Sequence, residues 1–297
     1  MRTILLTGAT GFLGSNLAQK LVASGHQVIV LKRSSSKLDR LASILPALSV
    51  YDITDLSAPF KEHGKVDAII HTATCYGRNG ESAAEIFEAN VAFPLRLLET
   101  ATLFDVNTFF NTDTFFNSGT IVYKYLNGYA LSKNHFLEWG KLFADSQKIR
   151  FVNIRLEHMY GPGDDASKFI IHVLRQLLAN VPEIKLTPGE QKRDFIYVDD
   201  VVAAYEILLE KSDSQTDLFQ QYGLGSGKAV TVREFVELAH KITGSSAFLN
   251  FGALSYRENE IMSSAADTER LNSLGWLSQT DLAEGIREMA SQEKTRD

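Results

Sequence analysis

The first half of the chain alternates between short apolar runs and longer segments of helical period. Thr3–Thr7 holds Ile4, Leu5 and Leu6 in an unbroken run, and His26–Leu31 contains Val28-Ile29-Val30-Leu31. Short runs rich in branched side chains read as strands buried on both faces. Leu48–Tyr51, Asp67–His71, Thr108–Asn111 and Ile149–Leu156 read the same way. Between them, Ser15–Ser24 places Leu17, Leu21 and Val22 at helical spacing. Ala83–Phe104 does so with Ile86, Val91, Leu95, Leu98 and Leu103, and Tyr129–Ala144 forms a further helix. Strands alternating with helices predict an α/β fold, a doubly wound parallel sheet covered on both faces. Past Gly161-Pro162-Gly163 the pattern changes to segments of mixed polarity in which helices dominate, broken by Pro182, Pro188-Gly189 and Gly223-Leu-Gly225-Ser-Gly227. The expected division is residues 1–156, to which 194–222 return, against a smaller mixed α/β C-terminal lobe of 157–193 and 223–297.

Composition narrows the class. The 297 residues are 44% hydrophobic, enough for a sizeable core, and carry a net charge of −6, which argues against non-specific nucleic-acid binding. The single cysteine, Cys75, excludes an intrachain disulfide and fits a reducing, cytoplasmic setting. No run approaches the ~18 apolar residues of a membrane span. The charge is uneven. No Asp or Glu precedes Asp39, so residues 1–38 carry +5 from Arg2, Lys20, Lys32, Arg33 and Lys37. The Ile4-Leu5-Leu6 run is too short for an export signal, and Gly8, Gly11 and Gly14 would break a transit helix.

Those glycines give the basic segment another meaning. Gly8-Ala9-Thr10-Gly11-Phe12-Leu13-Gly14 lies between the first strand and the first helix. A glycine turn there lets backbone N–H groups approach a pyrophosphate at a helix N-terminus. An acidic residue after the second strand would hold a ribose 2′-hydroxyl. Here Lys32-Arg33 stand in that place, which favours a 2′-phosphate and so NADP(H), with NAD(H) the alternative. Further along, Tyr129-Ala-Leu-Ser-Lys133 puts a phenol and an ammonium on one helix face. A neighbouring ammonium favours phenolate, so Lys133 is expected to bring the Tyr129 pKa down.

Together these pieces resemble the extended short-chain dehydrogenase/reductases of the NAD(P)-dependent nucleotide-sugar epimerase/dehydratase family, Rossmann-type enzymes. The resemblance also runs through Asp52-Ile53, His71-Thr72-Ala73-Thr74, Asn90-Val91, Tyr160-Gly161-Pro162-Gly163, Arg193–Asp200, and Tyr256-Arg257 with Glu260. It implies that Gly8, Thr10, Gly11, Phe12, Leu13, Gly14, Lys32, Arg33, Asp52, Ile53 and Ala73 bind the cofactor together with Tyr129 and Lys133. It implies that Tyr129 and Lys133 are catalytic with a hydroxyl beside them, Thr114 by counting along the strand, or Thr112 by matching the aromatic pair. His71 reads as structural. Arg193 and Arg257 resemble phosphate-contacting arginines, Glu260 a ribose acceptor, and His158 stands where many members have Asn near the sugar nucleotide.

Three functions follow from the resemblance. The first is NADPH-dependent reduction of the 4-keto group of a nucleotide-linked deoxyhexose. The Asn111–Phe116 segment, with Tyr129–Lys133, is similar to members that reduce CDP-linked 4-keto-3,6-dideoxyhexoses. The second is a nucleotide-sugar 4-epimerase that retains its cofactor, and the third a non-catalytic cofactor-sensing protein. Dehydration is disfavoured, because no Asp-Glu pair follows the candidate threonine in either register. No metal-ligand spacing occurs, and a homodimer is expected from the family, through the helix carrying Tyr129 and that near Ala83–Phe104.

Overall fold

The computed structural model describes residues 1–118 and 126–295. Strand β1 (Thr3–Thr7) is followed by helix α1 (Phe12–Ala23), β2 (Gln27–Lys32), β3 (Leu48–Asp52), α2 (Ala58–His63) and β4 (Ala68–His71). Next come α3 (Ala83–Phe87), α4 (Phe93–Leu103), β5 (Thr108–Thr114), α5 (Asn127–Asp145) and β6 (Arg150–Leu156). The later elements are β7 (His158–Tyr160), α6 (Phe169–Leu178), β8 (Glu183–Leu186), β9 (Lys192–Tyr197), α7 (Val198–Lys211) and β10 (Phe219–Leu224). They end with β11 (Ala229–Thr231), α8 (Val232–Thr243), β12 (Phe248–Phe251), α9 (Glu269–Ser273) and α10 (Leu282–Lys294).

The first unit comprises Met1–Gly119, Leu126–Arg155 and Val202–Tyr222. Its seven-stranded sheet runs β10-β6-β5-β4-β1-β2-β3. Ile4, Leu5 and Leu6 are fully buried, as a strand with neighbours on both edges and helices on both faces requires. The chain builds outward from β1 to β2 and β3, then crosses back to β4 on the other side. That reversal opens a crevice at the C-terminal ends of β1 and β4, where open α/β sheets bind ligands. The parallel register sets Thr7 beside Leu31 and His71, and His71 beside Asn111, so the strand ends form one rim. On one face, Phe109 of β5 and Phe151 of β6 pack against Phe136 of α5.

Three elements differ from the sequence reading. Helix α1 starts at Phe12, so Phe12-Leu13-Gly14 form its first turn rather than a free loop. The single helix expected over Ala83–Phe104 is broken by a π-helical turn at Glu88–Ala92, with Pro94 just inside α4. The wider turn shifts the helical phase, and Leu103, assigned to the buried stripe, is 80% exposed. Past Gly163 the chain forms β8 to β12 as well as helices. Each is only three to six residues long, too short for a period to declare itself.

The second described unit covers Leu156–Val201 and Gly223–Asp297 in its described residues. It contains a three-stranded sheet, β11-β9-β7, and the pair β12-β8. Helices α6, α8 and α10 pack on one another. Thr231 and Glu234 form a reciprocal cap on α8, and Asp281 caps α10. Such caps satisfy N–H groups that a first helical turn leaves unpaired.

Gly140 fixes how closely α5 approaches the sheet, because a Cβ there would lie 2.2 Å from the Phe151 ring. Gly140→Ala is expected to destabilise the fold by about 1–3 kcal/mol through overpacking. Thermal unfolding followed by circular dichroism checks this, and an unchanged Tm would sink the packing argument.

Candidate active site

The glycine loop closes on itself. The Gly11 N–H donates to the Gly8 carbonyl at 2.9 Å, and Gly8 sits at φ +72°, a left-handed conformation that suits glycine. A Cβ on Gly8 would stand 2.5 Å from the Ala73 nitrogen, and one on Gly14 2.1 Å from the Gly8 oxygen. These contacts draw the loop, the start of α1 and Ala73 after β4 into one cradle, beside half-buried Thr10. No side chain caps α1, and no acidic residue occupies its first turn. An uncapped N-terminus under a glycine turn fits a pyrophosphate, so the residues present suit the expected dinucleotide.

At the end of β2 the two cations separate. Lys32 Nζ donates to the Arg33 carbonyl at 2.9 Å and to that of Ser34 at 3.4 Å, and so braces the turn. Arg33 is exposed and makes no ion pair among the described residues. Asp52 accepts from the Thr54 N–H at 3.0 Å, and this bond chiefly holds its carboxyl below the usual range. Ile53 donates its N–H to the Lys32 carbonyl at 3.0 Å, which ties this turn to β2.

Across the rim, β5 runs to Thr114, three residues past the Asn111 end that its pattern predicted, so Thr112 and Thr114 are both strand residues. Thr112 Oγ1 bonds the Tyr205 hydroxyl at 2.6 Å. Thr114 instead lies beside the Tyr129 phenol and acts to lower its pKa. Thr114 is therefore the hydroxyl beside Tyr129. Lys133 Nζ donates to the Thr112 carbonyl at 2.8 Å. Tyr129 and Lys133 are both buried on α5, as their four-residue spacing requires.

The expectation that Lys133 lowers the Tyr129 pKa is corrected. Burial raises the phenol well above its ordinary value, and Tyr76 and Asp113 push the same way, while Thr114 and Arg78 oppose them. Burial likewise pulls the Lys133 ammonium down to about 8, with Asp113 opposing. Desolvation is the largest influence on each group, and Lys133 is not among the groups acting on the phenol. The phenol thus stays protonated at neutral pH. His71 is fully buried, bonds Thr7 Oγ1 at 2.7 Å, and is held neutral by burial and by Lys133.

The structure adds groups that the sequence did not single out as site residues. Asn90, in the π-helical turn, accepts from the Cys75 N–H at 2.8 Å and donates to Ser132 Oγ at 2.9 Å. Ser132 in turn donates to the Tyr129 carbonyl at 2.7 Å. This clamp ties the loop after β4 to the helix carrying Tyr129. Tyr76 on that loop lies against the Tyr129 ring at a centroid distance of 4.9 Å, and Arg78 sits 4.7 Å over Tyr76. Only the Asn90-Val91 motif hinted at this; the partners are distant in sequence.

In the second unit, Arg193 is buried rather than a surface arginine. It pairs with Glu260 and donates to the Lys192 and Ile261 carbonyls. Arg257 is exposed, and its carbonyl accepts from the Glu260 N–H at 3.1 Å, so Arg257 and Glu260 share one loop, which Glu260 ties to Arg193 of β9. His158 packs edge-on against Phe195 and faces Glu157 at 3.4 Å. Burial lowers its pKa despite that carboxylate. Among the described residues no group of three or more His, Cys, Asp or Glu is arranged to hold a metal, and no helix is long and apolar enough to cross a membrane.

This arrangement has many relatives. A CDP-abequose synthase of Salmonella muenchen is 36% identical over 98% of this chain and 97% of its own. Among solved structures, UDP-glucose 4-epimerase from Thermotoga maritima, with UDP-glucose, superposes with a TM-score of 0.85 at 23% identity, covering 99% of both chains. UDP-glucuronic acid 4-epimerase from Bacillus cereus, with UDP-glucuronic acid and NAD, gives 0.85 at 22%, covering 99% and 100%. At those identities the structural matches speak for a shared Rossmann-type fold. Residues 4–221 match the profile of the NAD dependent epimerase/dehydratase family, and the chain belongs to that family, as an enzyme of the extended short-chain dehydrogenase/reductase type.

Proposed function

We propose that the protein reduces the 4-keto group of a nucleotide-linked deoxyhexose with NADPH. The observation that carries this reading is the buried Tyr129 phenol, kept in its neutral form by desolvation, with the buried Thr114 hydroxyl beside it. The name of its 36% identical relative, CDP-abequose synthase, supports a CDP-linked dideoxyhexose. A dinucleotide held there would supply the hydride for the keto carbon. Gly8–Gly14 and the start of α1 hold its pyrophosphate, Asp52, Ile53 and Ala73 flank it, and Arg33 meets its 2′-phosphate. Thr114 orients the carbonyl oxygen, and Tyr129 Oη releases its proton to that oxygen as the carbon becomes tetrahedral. Lys133 then offsets the phenolate left behind. Arg193, Arg257 and Glu260 hold the diphosphate and ribose, and His158 contacts the sugar nucleotide. A guanidinium suits paired phosphate oxygens.

A retained-cofactor 4-epimerase is the second reading. It is favoured by a putative UDP-glucose 4-epimerase of Methanocaldococcus jannaschii, 26% identical over 97% of both chains. Its first step is an oxidation that needs the phenolate, which burial of Tyr129 disfavours.

NADPH is expected to be consumed one for one with a CDP-linked 4-keto-3,6-dideoxyhexose, and Tyr129→Phe to lower kcat by about 10²–10⁴-fold. Equal turnover by both proteins would remove the catalytic assignment. The wild-type chain should prefer NADPH to NADH in kcat/KM, and Arg33→Ala should cut that preference by about tenfold or more. A tenfold preference for NADH in the wild type would overturn the 2′-phosphate assignment.

Leu131, Trp139 and Leu142 leave an apolar stripe on α5 that is 56%, 42% and 51% exposed. This supports a homodimer through that helix, with a solution mass twice the 33.0 kDa of the chain. Sedimentation at micromolar concentration checks it, and a monomeric mass refutes it.

A further inference from the structure

The helix-facing side of β5 changes character toward the site. Phe109 packs on Phe136 and Phe151, but the next two residues on that side are Asn111 and Asp113. On β6 the same change occurs from Phe151 to Asn153. All three polar side chains are buried, at 0%, 3% and 0% exposure for Asn111, Asp113 and Asn153. They form a chain. Asn111 Nδ2 donates to Asn153 Oδ1 at 2.8 Å, and Asn153 Nδ2 donates to Asp113 Oδ2 at 2.9 Å. The other Asp113 oxygen accepts from Asn117 Nδ2 at 2.9 Å and from the Thr114 N–H at 2.8 Å.

Burial raises the Asp113 carboxyl above its usual range, and its three N–H donors together with the Lys133 ammonium oppose that shift by favouring the charged form. A buried carboxylate that only filled space would be poorer than an apolar residue there. This one braces the backbone of the threonine beside Tyr129, and its charge acts on Lys133.

We propose that Asp113 is a positioning residue of this centre, whose carboxylate is the fixed counter-charge of Lys133 and the brace that holds Thr114 toward Tyr129. The inference rests on the catalytic reading of Thr114, Tyr129 and Lys133. The other titratable groups facing the pair are His71 from β4 and Tyr129 from α5, while Tyr76 and Arg78 act on Tyr129 from the loop after β4. Burial already draws the Lys133 midpoint down to about 8, and the Asp113 charge works against that. Removing the negative charge removes an attraction for the ammonium, so Lys133 must then lose its proton at lower pH.

The first readout needs no substrate. In the full chain carrying ¹³C-labelled lysine, the Lys133 resonance is identified by its loss in Lys133→Arg and titrated by NMR. Its midpoint is expected to fall by about one unit in Asp113→Asn. The alkaline limb of the kcat/KM profile, measured with the keto sugar nucleotide and NADPH, should move down with it. An unmoved midpoint overturns the inference. Asp113→Ser serves in the same way where the Asn variant does not fold, and failure of both to fold assigns Asp113 to the fold instead. A shifted midpoint in a chain without turnover keeps the counter-charge and discards the catalytic reading; turnover with an unmoved midpoint does the reverse.

Discussion

The seating of α5 on the sheet governs the site. Gly140 has no Cβ to hold the helix away from Phe151, and Phe136 packs edge-on against the stacked Phe109 and Phe151 rings. A helix is stiff, so its depth at Gly140 carries through to Lys133 and Tyr129 two and three turns toward its N-terminus. There the Lys133 ammonium reaches the Thr112 carbonyl and the Tyr129 phenol lies beside Thr114. The aromatic packing and the polar contacts are thus two ends of one constraint. The Asn90–Ser132 bond adds a second anchor near Tyr129, fastening the helix to the loop that carries Tyr76.

Burial has a chemical consequence as well as a structural one. Taking an ammonium and a phenol out of water makes both prefer their neutral forms. A polar lining compensates in part. Lys133 keeps a carbonyl partner and a carboxylate within reach, and Tyr129 keeps a hydroxyl. The neutral, buried His71 beside Lys133 adds no competing charge. The core here is therefore graded, from phenylalanine layers at mid-strand to asparagine and aspartate near the strand ends. That gradient is what lets titratable groups sit in a dry sheet interface.

Much of the first unit was legible from the sequence. The apolar run Ile4-Leu5-Leu6, the glycines after it and the Tyr129–Lys133 spacing are local signals, and local signals survive reading along a chain. β1 spans Thr3–Thr7, as its pattern predicted. What was not legible depends on partners far apart in sequence. Thr112 and Thr114 lie on one face of β5, so which of them meets Tyr129 turns on position along the strand, where counting pointed to Thr114 and the aromatic pair to Thr112. The separation of Lys32 from Arg33 is of the same kind, since the path of the turn decides which cation folds back on carbonyls. The burial of Arg193 against Glu260 joins two segments 67 residues apart. The short strands after Gly163 were missed because their pairing, not their period, makes them strands.

The family hosts reductions and epimerisations on the same few residues, so the fold does not choose between them. The protonation state at rest does bear on the choice. Reduction of a ketone consumes a proton, and a phenol that holds its proton through neutral pH meets that need at once. Epimerisation begins by removing a hydroxyl proton, and a buried phenol must first be brought to phenolate for that. Burial, Tyr76 and Asp113 raise the phenol pKa, while Thr114 and Arg78 lower it. Asp113 acts on both partners, raising the Tyr129 phenol and supporting the Lys133 ammonium. A carboxylate at this place therefore keeps both protons in the centre before the substrate arrives.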